Sequence, residues 1–366
     1  MKTEALPQAA WGEADFAREV GRCGLRPDTF ETLIESHRTI ARSPGLRLLA
    51  QTTCATLFGR EEVPPPALPR VAPALKLESG LLHAVALLFR LPRLRSEHAR
   101  RGIPEAVTRA TLEDLERWMD AFAEANGKPG LSEAAWLARH FQGRLLAVGR
   151  LQFEWTLFKL PYRVFRHGDD GTPLVMATSG MDCDARGWPA DSAPAWQSVL
   201  REGDDGWEGH PVDPDKGCLR REPTFLSRDE WQPVLAPGDR VLAVHIPKGG
   251  RLPPEAVADS FRDAARLFPQ WFPEHRLHAM TCASWMLDPQ LKDHLPHGSN
   301  LLAFQRHFLP VPIPGATDEQ LFERVLGGQR TLPENATSLQ RAVLEHVRCG
   351  GAWRMGGGIR LPDAPF

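Results

Sequence analysis

The feature that most constrains this chain is a change of periodicity near residue 150. Up to about residue 147, apolar residues recur three and four positions apart, the period of an amphipathic helix. From Leu151 they alternate. In the segment LQFEWTL, Leu151, Phe153, Trp155 and Leu157 fall on one face, and Gln152, Glu154 and Thr156 on the other. That is the pattern of a half-buried strand. One packing rule cannot serve both halves. The sequence therefore predicts an α+β chain, with a helical domain over 1–147 and a mixed-sheet α/β domain over 148–366. A length of 366 residues suits two domains.

Helices are expected at 13–23, 27–40 and 44–57, with a stiff proline-rich loop over 63–73. The segment 79–91 is apolar nearly all round, as a buried helix is. Pro104 opens a helix that runs to about Ala125 and stops at Asn126-Gly127. Ser132 is the expected cap of a last helix through Phe141. In the second half, short strands are expected at 162–167 and 174–178. Residues 179–222, rich in Gly, Asp, Pro and Trp, read as an irregular insertion. A strand at 240–246, a loop at 247–253 and an amphipathic helix at 254–268 follow, the helix closed by Pro269 and Pro273. Further expectations are a strand at 277–286, a short helix at 288–295 capped by Asp288, and a strand at 301–308. Helices at 317–326 and 338–347 and a final strand at 353–361 complete the reading.

Composition removes several function classes. The net charge is −2, so no global positive field gathers nucleic acid or anionic membrane. The longest apolar run, 80–91, is too short to span a bilayer and contains His83 and Arg90. The N-terminal residues lack an apolar signal-peptide core. The six cysteines include no C-x-x-C pair, and Cys183, His210, Asp213 and Cys218 match no zinc spacing. A cytoplasmic protein with reduced thiols and no metal is expected. Tyr162 is the single tyrosine, so a phenol is nearly excluded as a general acid.

Four segments, in order, resemble one family. They are GRLQFE from Gly149, VHIPKGG from Val244, SWMLDPQL from Ser284 and SNLLAFQRHF from Ser299. They resemble the bacterial two-domain acyltransferase-like proteins, which join a helical N-acyltransferase N-terminal domain to a GNAT-like C-terminal domain. The resemblance implies an acyl group moved from acetyl-CoA or a longer acyl-CoA to an amine, or similar nucleophile, of a small molecule or peptide. It also implies a strand, a phosphate-binding loop and a helix in succession, then a strand that splays away to admit pantetheine. Ile246, Lys248, Gly249, Gly250 and Arg251 would hold the coenzyme. The loop KGGRLPP departs from the family's usual R/Q-x-x-G-x-G/A. Pro253 and Pro254 each lack an N–H, and Lys248 and Arg251 would bring full charges in place of dipoles.

An amine arrives as ammonium, so a base is needed. His245, at the end of its strand, and Glu154, on the polar strand face, are the candidates. The same residues also read as an interior histidine and a solvated carboxylate. Cys282 and Ser284, alternating on one strand, are candidate proton donors to a leaving thiolate. Alternatively, Cys282 with His245 would make a thiol-dependent hydrolase or transferase. Gln152, Trp285 and Asn300 are candidate substrate contacts. Trp188, Trp196, Trp207 and Trp231 are expected to form one cluster or to line an apolar groove. Outside enzymes, a GNAT-derived binding or regulatory protein without chemistry remains open.

Overall fold

The structure is a computed structural model of the chain and describes residues 12–59 and 67–362. It divides into two compact units. The first runs up to Glu154 and takes in the short segments Ile246–Gly249 and Gln270–Phe272. It holds α1 (Glu13–Gly21), α2 (Pro27–Arg42), α3 (Pro44–Phe58), α4 (Ser79–Leu88), α5 (Leu91–Arg100), α6 (Glu105–Asn126), α7 (Ala134–Phe141), β1 (Leu145–Val148) and most of β2 (Leu151–Leu157). The helical half thus matches its periodicity. Pro27 and Pro44 open α2 and α3 in the first turn, where the missing N–H costs nothing. Ser43 accepts from the Leu46 N–H at 3.4 Å. Gly127, at φ 65°, closes α6. The all-apolar α4 lies at the centre, with Leu82 and Ala84–Leu87 fully buried.

Three details differ from expectation. The helix expected over 79–91 stops at Leu88, and α5 starts afresh at Leu91, with Pro92 in its first turn. Ser132 does not cap α7; Glu133 takes the cap position without a side-chain bond. In the proline-rich loop, 63–66 fall outside the described residues, and Pro73–Leu75 form a 3₁₀ turn. The pattern also missed β1. It pairs antiparallel with β2 through Val148↔Leu151. Gly149, at φ 61°, fills the first turn position that a type II′ hairpin reserves for glycine.

The second unit adds β3 (Tyr162–His167), β4 (Pro173–Ala177), β5 (Asp182–Cys183), β6 (Trp196–Gln197), β7 (Leu200–Glu202), β8 (Gly206–Gly209), β9 (Thr224–Ser227), β10 (Trp231–Leu235), β11 (Arg240–His245), α8 (Pro254–Trp271), β12 (Ala279–Ser284), α9 (Asn300–Gln305), β13 (Leu309–Pro312), α10 (Glu319–Leu326), α11 (Ser338–Arg348) and β14 (Gly356–Arg360). The main sheet has six strands in the order β1-β2-β11-β12-β14-β13. Residues 179–222, expected to be irregular, contain β5 to β8. These pair within one two-stranded and one three-stranded sheet. The segment 301–308 is not a strand. Ser299 accepts from the Leu301 N–H at 3.2 Å and starts α9, which buries Leu302 and Phe304. A short apolar run reads equally as strand or helix, and here the cap decides. Residues 285–293 form two 3₁₀ turns, and Asp288 caps the second as expected. Of the two prolines expected to close α8, Pro269 lies inside the helix, which continues to Trp271 and ends just before Pro273.

Tyr162 is fully buried, and its hydroxyl donates to the Pro312 carbonyl at 2.5 Å. The single phenol is thus a structural tie. In β14, three consecutive glycines allow close approach. A Cβ at Gly356 would lie 2.1 Å from the Leu287 carbonyl oxygen, and one at Gly358 would lie 2.7 Å from the Phe308 Cβ.

Candidate active site

β11 and β12 run parallel and pair through Val241↔Ala279, Leu242↔Met280 and Ala243↔Thr281. There the ladder ends, although β11 continues to His245 and β12 to Ser284. Beyond Thr281, β12 stays with β14 instead, through Cys282↔Gly358, Ala283↔Gly357 and Ser284↔Gly356. The sheet is stitched below and parted above. The parted end lies beside the loop 246–253, and α8 begins directly after it.

Gly249 and Gly250 adopt φ 92° and 74°, the left-handed region where a Cβ is penalised. The space around Gly249 is open, so backbone conformation and not crowding calls for glycine there. Arg150, in the β1–β2 turn, holds this loop. Its guanidinium donates to the Gly249 carbonyl at 2.8 Å and to the Pro247 carbonyl at 3.3 Å. In a planar trans peptide the C=O and the following N–H point in opposite directions. Tethering the carbonyls of Pro247 and Gly249 toward Arg150 therefore turns the N–H groups of Lys248 and Gly250 away from it. Burial holds the Arg150 guanidinium below its usual range, with a lesser push from Arg117. The side chain of Lys248 lies 3.5 Å from Glu124 and is largely exposed. Arg150 was missed as a site residue, although it stands second in the segment GRLQFE. No periodicity or spacing distinguishes it from any other turn arginine.

The structure gives each sequence candidate a place. His245 ends β11, where the ladder to β12 has parted. Ser284 ends β12 and is buried, its Oγ accepting from the Met286 N–H at 3.2 Å. Cys282, on the same strand, is only 3% exposed, and burial pushes its thiol up to about 12. Burial thus disfavours the thiolate that a cysteine nucleophile needs. Ile246, Lys248, Gly249, Gly250 and Arg251 are consecutive or nearly so in the loop.

The polar face of β2 requires a correction. LQFEWTL is not half-buried: Leu151 to Trp155 are all buried. Glu154 is 3% exposed, with one carboxylate oxygen accepting from Arg139 at 2.9 Å and the other from Arg144 at 3.1 Å. Protonating this carboxylate would discharge the partner of both guanidiniums, which disfavours it as the base. Gln152 is buried beside it, and its Nε2 has no hydrogen-bond partner among the described residues.

Trp285 is half-buried and packs against the small core of Leu291, Leu302 and Val343. Asn300 is the exposed first residue of α9. The four tryptophans do not form one cluster. Trp207 and Trp231 pack with Phe165 and Leu226, Trp196 packs beside Tyr162 and Cys183, and Trp188 lies under the Arg354 guanidinium. Asp213 accepts from the backbone of its own turn, at Asp215 and Lys216. No group of three or more metal-ligating side chains is placed to hold an ion among the described residues. No helix among them is long and apolar enough to cross a membrane.

A model of the GNAT-like C-terminal domain matches residues 145–360, and one of the N-acyltransferase N-terminal domain matches residues 14–143. Comparison with curated proteins gave no significant match. Among solved structures, an acyltransferase in complex with decanoyl-CoA is 25% identical, with a TM-score of 0.62 over 98% of this chain and 89% of that one. A mutant acyltransferase in complex with octanoyl-CoA is 26% identical, with a TM-score of 0.63 over 98% and 90%. An acyltransferase in complex with decanoyl-CoA and teicoplanin is 25% identical, with a TM-score of 0.59 over 92% and 87%.

Proposed function

This chain belongs to the family of the GNAT-like C-terminal domain, and from that membership we propose that it moves an acyl group from a coenzyme A thioester to an amine. The observation that carries the reading is the parted ladder. β11 and β12 separate after Ala243 and Thr281, immediately before a loop with two left-handed glycines and a helix start. A gap between two strands accepts a slender arm, and backbone N–H groups at a loop accept phosphate oxygens. Coenzyme A has both parts. Structural neighbours bound to decanoyl-CoA and octanoyl-CoA support the same ligand class and a medium-length acyl chain. The neighbour bound to teicoplanin supports a small-molecule acceptor; a peptide amine is the narrower alternative.

In the proposed reaction the amine first loses a proton, for which His245 is the base. The free amine then attacks the thioester carbonyl, a C–N bond forms, and the C–S bond breaks. The second nitrogen proton goes to the departing thiolate, and Ser284, at the end of β12, is the proposed relay: its hydroxyl gives a proton to sulfur and receives the one from nitrogen. Glu154 keeps its place as a buried ion-pair centre and takes no part in proton transfer. Ile246, Lys248, Gly249, Gly250 and Arg251 hold the pyrophosphate.

The test is thermal unfolding with decanoyl-CoA, acetyl-CoA and free CoA, followed by thiol release with an amine panel that includes teicoplanin. A ligand at 100 times its dissociation constant adds about 2.7 kcal/mol of stability. No shift with any thioester would sink the reading. A shift without thiol release from any amine would favour a binding protein that has lost its chemistry. His245→Ala is expected to lower turnover by about 10²-fold while CoA affinity stays near the parent value.

A further inference from the structure

A cavity of about 390 Å³ lies in the second unit, against the closed half of the main sheet. Its floor is Phe261 and Met280, and Met280 pairs with Leu242 and with Arg360 in the stitched part of the ladder. The cavity exists because α8 presents Ala258 and Ala265 there, two turns apart on one face, and neither fills the space beside Phe261. At the rim stand Arg262, Arg360 and His307, and no carboxylate among the described residues lines the cavity. The Arg360 guanidinium lies 5.1 Å from the centre of the Phe261 ring, and the His307 ring lies 5.0 Å from it. Arg262 shares its charge with Asp259, at 2.7 Å. Burial, with help from Arg360 and Arg306, holds His307 below its ordinary value, so it meets a ligand as a neutral imidazole at pH 7.

An apolar pit with guanidinium groups at its mouth complements an anion with an apolar body. The volume is at the small end of the roughly 300–1,000 Å³ of ligand pockets, so the ligand is small. We propose that this cavity is a binding site for a small carboxylic acid with an apolar tail, its carboxylate on Arg360 and Arg262 and its tail over Phe261 and Met280 between Ala258 and Ala265. The site is separate from the parted ends of β11 and β12 and does not rest on the acyl-transfer reading.

Decanoate is the probe, titrated calorimetrically into the full-length protein. One saturable site is expected. Ala265→Leu fills the cavity and Arg360→Met removes a charge while keeping bulk; each should weaken decanoate binding tenfold or more. Decanol, without the charge, should bind at least tenfold more weakly, and acetate, without the tail, should give no heat. Urea unfolding of each variant checks that it folds. Should either fail, Ala258→Leu fills the other end of the cavity and takes its place. Unchanged affinity in the cavity-filled variant, competitive displacement of decanoate by CoA, or the absence of saturable heat would each overturn the proposal.

Discussion

Arg150 acts on the loop through two carbonyl groups, so its effect on a ligand is indirect and separable from charge. Replacing it with methionine frees Pro247 and Gly249 to rotate, and the N–H groups behind them lose their common direction. Arg150→Met is expected to raise the KM for acyl-CoA about tenfold, roughly 1.4 kcal/mol, with a smaller effect on kcat. Arg150→Lys should restore part of the loss, since an ammonium reaches one carbonyl where a guanidinium spans two. A fall in kcat with KM unchanged would place Arg150 in the chemistry and not in loop geometry. Glu154 invites the opposite outcome. Glu154→Gln leaves the Arg139 and Arg144 guanidiniums without a counter-charge at a buried position, and stability should drop by about 1–3 kcal/mol. Arg139 and Arg144 are partly exposed, so water recovers some of the loss. Turnover per folded molecule should change little. A loss of turnover near 10²-fold at unchanged stability would return Glu154 to the role of base.

Among the elements, α8 and β11 were legible because each repeats one period for several residues, and a marked break separates them: the Gly249-Gly250 pair follows β11 and Pro254 opens α8. The four residues of β1 carry too little pattern to separate from the end of α7. The strands of the 179–222 region are two to four residues long and hold aromatic residues that pack locally. The expected strand at 301–308 failed for another reason: Ser299 is a helix cap, and a cap outweighs a run of apolar residues. At the site, the positions of His245 and the loop followed from chain order. The burial of Glu154 did not, because alternation within β2 cannot say what covers its second face. The glycines of β14 could be read from sequence as a weak strand, and their purpose emerges only from Leu287 and Phe308 pressing on them. Gly356→Ala should cost about 1–3 kcal/mol, because its Cβ would meet the backbone of Leu287 and Asp288. Gly298→Ala, where the space is open, should cost far less. Urea midpoints measure both, and equal losses would mean that close approach at β14 is not the constraint.

For the whole molecule, buried titratable groups set the pH range of stability. Burial pushes Cys54 and Cys282 up to about 12, and Cys23 and Cys183 up to about 11. In the unfolded chain these thiols ionise near 9.0. Between pH 9 and 11 the folded state keeps protons that the unfolded state gives up, so stability falls as pH rises. His98 lies on the acid side. Burial, then Arg95 and Arg101, lower it from 6.5 to about 4. Between pH 6.5 and 4 the unfolded chain binds the extra proton, so stability falls as pH falls. The urea midpoint should therefore be highest at about pH 7 to 8 and decline on both sides; a midpoint still rising through pH 10 would contradict the thiol assignment. The parted ladder has its own consequence, in time rather than in space. Amides that bridge β11 and β12 at 241–243 and 279–281 open only when the sheet itself opens, whereas beyond Thr281 that ladder has ended and β12 is held by β14 alone. Deuterium should therefore enter the gap-facing amides at the upper ends well before those of the lower ends. A ligand threaded into the gap would supply the missing stitches, and its arrival would first appear as slower exchange at those upper ends.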